Sequence, residues 1–260
     1  MVRGLYTAAS GALVAQNTVD VLANNLANVN TVGFKRSLLQ VVDSQRMDIY
    51  RIQTDPGAKA GRANGVGNAA LVGSLGMGAL IFDTPVILDQ GPLQTTDNPL
   101  DMALHGPGYF VLQTPDGNTR YTRNGGFVRN AQGGLVTENG DAVMGQNGPI
   151  QLGLAGEVQV KGDGSVYVNH QLIDKLRMVE FLDPQNSRPE GANRAGAATA
   201  VTASRTDVVQ YHLERSNAEV VKTMTDLITA ERLFDANTKV MQSEDELNGE
   251  AIQTVGRTNS

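Results

Sequence analysis

The three histidines, His105, His170 and His212, are the side chains best suited to general acid–base chemistry near neutral pH. They lie far apart along the chain, and none stands in an HExxH pattern or beside a nucleophile motif. The sequence contains no cysteine, which excludes disulfides, thiolate metal sites and a cysteine nucleophile. The sequence therefore does not predict an enzyme, and we expect each histidine at the surface or in a turn.

Two other patterns contain residue types that bind ligands in many proteins. Residues 73–78 are as rich in glycine as a phosphate-binding loop, but they lack its lysine and the GxGxxG order. Asp97 with Asp101, and Asp163 between two glycines, offer carboxylates without the ligand order of an EF-hand. Since turn formation explains these residues, the sequence predicts no cofactor and no metal.

Charge and hydropathy argue against two classes of partner. The formal net charge is -6, and the chain has no basic cluster beyond Lys35 and Arg36, so little could neutralise a nucleic-acid backbone. No run of 18 apolar residues is present, which predicts no membrane insertion. The N-terminus also lacks the apolar region of a cleaved signal peptide, so we expect the chain to stay in the cytosol or to leave by another route.

The N-terminal region carries an apolar residue at alternating steps of three and four, which is the pattern of a helix packed on another helix. This seam comprises Leu5, Ala8, Ala12, Ala15, Val19, Leu22, Leu26 and Val29. We predict a helix over about Val2 to Val32, since both ends of the chain are free of proline. Gly33 can take the left-handed position after this helix, and Phe34 can fold back as the apolar residue of a Schellman-type cap.

Three of the eight seam positions are alanine, and Gly4 and Gly11 flank the seam at one heptad position. Small residues let helices approach closely, but they bury little area, so this helix is weak on its own. Two partners remain open: the C-terminal helix of the same chain in a helical hairpin, or helices of other copies. We favour packing among copies, because it also explains the wide apolar face of the C-terminal helix.

A second long helix is predicted over about residues 216–248. Ser216 and Glu219 form a capping box, in which each side chain satisfies an exposed backbone donor near the other residue. The apolar positions make a stripe wider than a two-position seam, which indicates more than one neighbour. The stripe comprises Val220, Val221, Met224, Leu227, Ile228, Leu233, Phe234, Val240, Met241 and Leu247.

Four asparagines, Asn24, Asn25, Asn28 and Asn30, lie on the last turns of the first predicted helix. Asparagine tolerates the left-handed conformation, so Asn30 can simply help to end the helix. Asn24 and Asn25 lie further inside, and their amides could hydrogen-bond across a helix contact and fix its register. The sequence leaves both interpretations open. Beyond the seam, the predicted assembly interface comprises Asn24, Asn25, Asn28, Gly33, Phe34, Val220, Met224, Leu227, Ile228, Phe234 and Met241.

Between the helices, short β-type runs alternate with turn dipeptides such as Asn124-Gly125 and Asn139-Gly140. We therefore predict an α+β fold in which long N- and C-terminal α-helices, packed as a coiled-coil-like pair, bracket an antiparallel β-rich middle domain. The predicted divisions are a terminal helical assembly domain (1–40 and 206–260), an extended connector (41–85) and a β-rich outer domain (86–205).

Several stretches resemble the rod and hook family of flagellar axial proteins. Residues 23–35, ANNLANVNTVGFK, closely match the N-terminal signature of that family. Residues 98–104 leading into 108–110, then 121–125 and 134–137, resemble further family stretches. Residues 214–219, ERSNAE, stand where the family usually has a serine-asparagine-valine stretch, and Ala218 departs from that valine. The resemblance spans nearly the whole chain and indicates a flagellar basal-body rod protein.

The resemblance implies a non-enzymatic structural subunit of the bacterial flagellar basal-body rod, polymerising through its terminal helices into a hollow, torque-transmitting shaft. It also implies export through the flagellar type III apparatus without a cleaved signal peptide. The implied partners are copies of the chain and other rod subunits, with ring proteins around the rod as further candidates.

Two rod subtypes fit the length of the chain, the proximal type (FlgF) and the distal type (FlgG). Residues 141–150 look more like the proximal type and residues 24–35 are typical of the distal type, and we lean to the proximal type. The alternatives are another type III-exported axial subunit of the hook-junction type, and a soluble β-domain binding module with a helical stalk.

Overall fold

The computed structural model describes residues 2–44, 46–50, 71–181, 188–190, 193–195, 200–203 and 205–257. In this part of the chain, helix α1 (Val2–Ala27) comes first and helix α2 (Val220–Arg257) comes last. Short strands lie between the helices in the sequence, and their pairings are antiparallel. This arrangement confirms the predicted α+β class with a helix at each end.

The strands differ in length from two to six residues, as the dense turn signals of the middle region predict. In chain order they are β1 (Gln40–Asp43), β2 (Arg46–Tyr50), β3 (Leu71–Gly76), β4 (Ala79–Asp83), β5 (Leu93–Thr95), β6 (Met102–His105), β7 (Tyr109–Gln113), β8 (Thr119–Thr122), β9 (Phe127–Arg129), β10 (Leu135–Thr137), β11 (Ala142–Val143), β12 (Val158–Val160), β13 (Ser165–Val168), β14 (Gln171–Lys175), β15 (Met178–Phe181), β16 (Arg188–Glu190), β17 (Asn193–Ala195), β18 (Ala200–Thr202), β19 (Asp207–Gln210) and β20 (His212–Glu214).

The chain divides into two compact units, and neither corresponds to one continuous stretch of sequence. The first unit, called here the helical unit, takes in Met1–Leu22, Leu39–Thr84 and Thr225–Ser260. The second, called the β unit, takes in Ala23–Leu38 and Pro85–Met224. The end of α1 and the start of α2 therefore belong to the β unit.

The helical unit contains most of both helices and a ribbon of two strand pairs, β1 with β4 and β2 with β3. The backbone N–H of Ala79 in the ribbon donates to the hydroxyl of Ser10 on α1 at 3.4 Å. The described part of segment 41–85, which we predict to be an extended connector, thus consists largely of paired strands. Residues 51–70 of that segment, rich in Gly and Ala, lie outside the described residues.

Two buried apolar clusters lie in the β unit, and the larger one is its main core. Phe110 and Phe127 pack edge to face in this core with ring centroids 5.0 Å apart, and both are fully buried. The largest sheet runs in the order β16-β17-β8-β7-β11-β10-β9, with β15 pairing β7 and β18. Tight turns follow the predicted dipeptides, as Gly140 shows with a φ of 87°.

Helix α1 ends at Ala27, five residues before the predicted end at Val32. The Asn28 side chain donates to the backbone carbonyl of Asn24 at 2.9 Å, and the Thr31 hydroxyl donates to the Asn28 amide oxygen at 3.2 Å. These side chains compete with the helical hydrogen bonds, so the chain continues as turns. Gly33 has the predicted positive φ, 71°, but in a later turn and not directly after the helix.

Helix α2 begins at Val220, so the predicted capping box on Ser216 is wrong. The N–H of Thr223 donates to the carbonyl of Glu219, the residue just before this helix, at 2.9 Å. The Ser216 hydroxyl accepts instead from the N–H of Ala218 at 3.2 Å. Residues 214–217 are bonded to other parts of the β unit, which prevents the helix from starting there.

Candidate assembly interface

The seam on α1 is buried at its alanines. Ala8, Ala12 and Ala15 are 6%, 5% and 1% exposed, respectively. The larger seam residues are half-buried, namely Leu5, Val19, Leu22, Leu26 and, just beyond the helix, Val29. The small residues are therefore the most buried positions of the seam.

Within the helical unit, α1 packs against α2 of the same chain through its two glycines. A Cβ atom added to Gly4 would lie 2.7 Å from Oε1 of Glu244, and one added to Gly11 would lie 3.0 Å from Nδ2 of Asn237. The contacts step by seven residues in opposite directions, so the helices run antiparallel. The intramolecular helical hairpin, which the sequence left open, is thus present in the single chain.

The face of α2 that meets α1 is partly polar, which apolar periodicity could not reveal. Ala230 is buried, and Asn237 and Glu244 follow it at steps of seven residues. The Oε2 atom of Glu244 is buried without a hydrogen-bond partner in the structure. The signal that could have identified these residues is the matching seven-residue step between Gly4 and Gly11.

Much of the apolar surface of both helices stays exposed. On α2, Leu233, Val240 and Leu247 follow one another at steps of seven residues and are 53%, 48% and 54% exposed. We call these three residues the flank row. On α1, Tyr6 and Leu13 are exposed and also seven residues apart. Among the predicted interface residues of α2, the exposed ones are Val220, Met224, Ile228 and Phe234, and the half-buried ones are Leu227 and Met241.

Residues 24–36, called here the asparagine segment, form their hydrogen bonds within the β unit. The amide of Asn25 pairs with the backbone of Ser37, accepting its N–H at 2.9 Å and donating to its carbonyl at 2.8 Å. This amide therefore fastens the last turn of α1 to the following chain and makes no bond across a helix contact. Asn24 is exposed, and the half-buried Asn28 bonds back onto the helix as described above.

A buried charged cluster lies next to this segment and was not predicted. Glu214, fully buried, accepts from Nζ of Lys35 at 2.5 Å and from Nη1 of Arg123 at 3.2 Å. The N–H of Gly91 also donates to this carboxylate at 2.9 Å, and Lys35 donates to the carbonyl of Asp89 at 2.7 Å. Burial outweighs the neighbouring carboxylate and lowers the pKa of Lys35 from its usual 10.5.

The residues around Glu214 hold the asparagine segment at several points. The N–H of Gly33 donates to the carbonyl of Glu214 at 2.7 Å, and the N–H of Arg36 donates to Oδ1 of Asn217 at 2.8 Å. Arg215 donates to Oδ1 of Asn30 at 3.0 Å. Residues 23–35 and 214–219, which carry the family resemblance at the two ends of the chain, are therefore in contact with each other.

Gly33 is required at its position by close approach as well as by its φ. A Cβ atom there would lie 2.6 Å from the carbonyl carbon of Arg123 and 2.6 Å from the backbone nitrogen of Asn124. Phe34, the next residue, is buried. Gly33 and Phe34 therefore allow this segment to pack against the rest of the β unit.

The residues first considered for chemistry are not gathered into a site. His105 and His170 are exposed, and His170 lies in a turn with a φ of 66°. His212 is half-buried at the start of β20, where Nδ1 lies 2.8 Å from the carbonyl of Gln210. The part of the chain that the structure describes contains no acidic, histidine or cysteine group able to hold a metal, and no helix long and apolar enough to cross a membrane.

Three family models match the chain at its two ends and in its middle. The model described as "Flagella basal body rod protein" matches residues 5–35, which cover most of α1 and of the asparagine segment. "Flagellar hook protein FlgE/F/G D1 domain" matches residues 103–168 of the β unit. "Flagellar basal body rod FlgEFG protein C-terminal" matches residues 209–254, from β19 through most of α2.

Several curated relatives match along almost the whole chain. The flagellar basal-body rod protein FlgG of Caulobacter vibrioides is 34% identical over 94% of this chain and 96% of its own. The FlgG proteins of Bacillus subtilis and Borreliella burgdorferi are 32% and 31% identical, with at least 96% of each chain covered. All three are FlgG proteins, so these matches do not support the predicted proximal subtype.

A hook protein also matches, but over much less of both chains. FlgE of Helicobacter mustelae is 38% identical over 132 residues, which is 50% of this chain and 28% of the hook protein. The full-length matches therefore favour neither the hook-junction alternative nor the binding-module alternative. Because a relative above 30% identity matches nearly the whole of both sequences, the chain belongs to the flagellar basal-body rod proteins of the FlgE/F/G family.

Proposed function

We propose that this structural subunit of the flagellar rod polymerises through its terminal helices into a hollow shaft that transmits torque. In this proposal the alanine seam joins α1 to α2 within each copy, and the exposed rows of both helices join neighbouring copies. The helices would run along the shaft, so that twisting it must separate many such contacts at once.

The observation that carries the proposal is the regular exposure of large apolar side chains on helices already paired within the chain. The flank row alone presents three side chains that are about half exposed. Complete burial of a Val or Leu contributes roughly 1.5–3 kcal/mol, so covering the exposed halves would contribute about 3 kcal/mol in total. A contact of this size is weak in one pair of copies and becomes strong when each copy repeats it with several neighbours.

Substitution of Val240 tests the proposal directly. Val240→Lys places a charge in the flank row, and we expect loss of assembled rods and of motility with the chain still folded. Gln242→Lys is the matched control, because it adds the same charge about 200° round the same exposed helix. Rods isolated from each strain would be counted by electron microscopy, and the folding of each purified chain checked by circular dichroism. Normal rods in the Val240→Lys strain would refute the proposal.

We further infer that the chain leaves the cytoplasm through the flagellar type III apparatus, without a cleaved signal peptide, and then meets other rod subunits. A chain without cysteine and with an alanine-rich N-terminal helix can travel unfolded and gain order from contacts made on arrival. Ring proteins around the rod would face the β unit. A strain without the flagellar export apparatus should retain the chain in the cytoplasm, and normal secretion from that strain would exclude this route.

A further inference from the structure

The buried cluster of Lys35, Arg123 and Glu214 holds more positive than negative charge, and the other acidic side chain that acts on Lys35, Asp89, is exposed to solvent. Each of the three side chains is at least nine-tenths buried, and the cluster contains two cations and one carboxylate. Removing one partner from a buried ion pair costs far more than the pair contributes, because the remaining charge stays out of water. Glu214 is therefore the member without which the other two could not be buried.

The three members come from distant parts of the sequence. Lys35 and Glu214 are separated by 179 residues, and Arg123 lies between them in the chain. The backbone N–H groups of residues 33 and 36 also donate to residues 214 and 217, to a backbone carbonyl and to a side-chain amide oxygen respectively. Residues 30–37, called here the N-terminal segment, thus depend for much of their bonding on a stretch near the end of the β unit.

We propose that Glu214 makes docking of the N-terminal segment conditional on the C-terminal part of the chain. Before β20 is in place, docking would bury Lys35 beside Arg123 with only the exposed Asp89 as a counter-charge, so the segment stays undocked. Arrival of Glu214 supplies that charge and the backbone carbonyl for Gly33. The end of α1 is then fastened to the rest of the β unit only in a completed chain. This device concerns the folding of one copy and does not depend on assembly.

The charge balance makes the proposal different from an ordinary salt bridge. Lys35→Met leaves one cation and one carboxylate, which balance, so the segment should stay docked. Glu214→Gln leaves two buried cations, so the segment should undock. Combining the two changes removes one of those cations and should restore part of the docking. A simple Lys35–Glu214 bond would instead be lost equally in both single variants.

Hydrogen exchange with mass spectrometry on the purified full chain measures this docking. In Glu214→Gln we expect a peptide covering residues 30–40 to exchange roughly 100-fold faster than in the unmodified chain. A peptide from the core strand β7 (Tyr109–Gln113) should keep its protection. Lys35→Met should change the 30–40 peptide by less than about threefold, and the double variant should exchange more slowly than Glu214→Gln. Glu138→Gln, the same change in an exposed turn, is the matched control.

Two results would overturn the proposal. One is protection of the 30–40 peptide in Glu214→Gln within about threefold of the unmodified chain. The other is equal loss of protection in Lys35→Met and Glu214→Gln, which would indicate a simple pair. If Glu214→Gln does not fold, loss of protection of the 30–40 peptide in Lys35→Met would overturn the proposal by itself. The proposal requires that Lys35→Met keep the segment docked.

Refolding of the unmodified full chain tests the order of events. After dilution from urea, pulse labelling should show the 30–40 peptide becoming protected together with a peptide covering residues 211–219, and later than β7. Protection of residues 30–40 before residues 211–219 would contradict conditional docking.

Discussion

Gly33→Ala should destabilise the β unit more than the conformational preference of glycine explains. An alanine at a φ of 71° costs about 1–2 kcal/mol in any context. The new Cβ would also lie 2.6 Å from backbone atoms of Arg123 and Asn124, which cannot rotate away as a side-chain tip can. Relieving that overlap moves Gly33 away from the carbonyl of Glu214, and a buried N–H left without a partner costs a further ~1–3 kcal/mol.

The total expected loss in the free energy of unfolding is therefore about 3 kcal/mol. Gly117→Ala is the matched control, since Gly117 has a similar φ of 83° but nothing within 4 Å of its added Cβ. It should lose only the conformational cost of about 1–2 kcal/mol. Comparing the two variants thus separates backbone strain from close approach.

Urea unfolding followed by tyrosine fluorescence would measure both variants. The chain has no tryptophan, and four of its six tyrosines lie in residues 85–224, so the signal reports mainly on the β unit. Equal losses for Gly33→Ala and Gly117→Ala would refute the reasoning, because they would show that the approach of Arg123 to Gly33 contributes nothing.

Two further predictions concern the seam and the charged cluster. Ala15 is 1% exposed, so Ala15→Leu should overpack the seam and destabilise the helical unit by about 1–3 kcal/mol. Gln16→Leu, on the exposed side of the helix, should not destabilise it. Thermal unfolding followed by circular dichroism at 222 nm would check this, and equal melting temperatures for the two variants would contradict it. Because the pKa of Lys35 is lowered on folding, the unfolded chain binds more protons in the window below 10.5, and stability should rise with pH there. Urea unfolding should therefore show the unmodified chain gaining stability relative to Lys35→Met as pH approaches 10.5, and a constant difference would contradict the prediction.

Local patterns identified the elements that depend on neighbouring residues. The steps of three and four between Leu5 and Leu26 predicted α1, and dipeptides such as Asn139-Gly140 predicted the tight turns. The end of α1 was placed too late because apolar periodicity continues to Val29. Apolar periodicity gives no information about the hydrogen bonds of the Asn28 and Thr31 side chains, which bond to the backbone and to each other.

Contacts between distant residues could not be read from the sequence. Lys35 and Arg36 form a small basic pair in the sequence, and nothing in their neighbourhood points to Glu214, 179 residues from Lys35. Glu244 and Asn237 were missed because a polar residue over a glycine does not add to an apolar stripe. The resemblance identified residues 23–35 and 214–219 separately, and only the fold shows that they bind each other.

The flank row offers the most direct measurement of the central claim, that the exposed rows of the terminal helices join neighbouring copies. The chain has no cysteine, so Val240→Cys and Glu138→Cys each introduce a single reactive thiol. Maleimide labelling of both variants would be compared between the purified chain and isolated basal bodies. We expect the thiol at position 240 to react at least about tenfold more slowly in basal bodies than in the purified chain. The thiol of Glu138→Cys should differ less between the two states. Equal rates for Val240→Cys in the two states would contradict assembly through this surface.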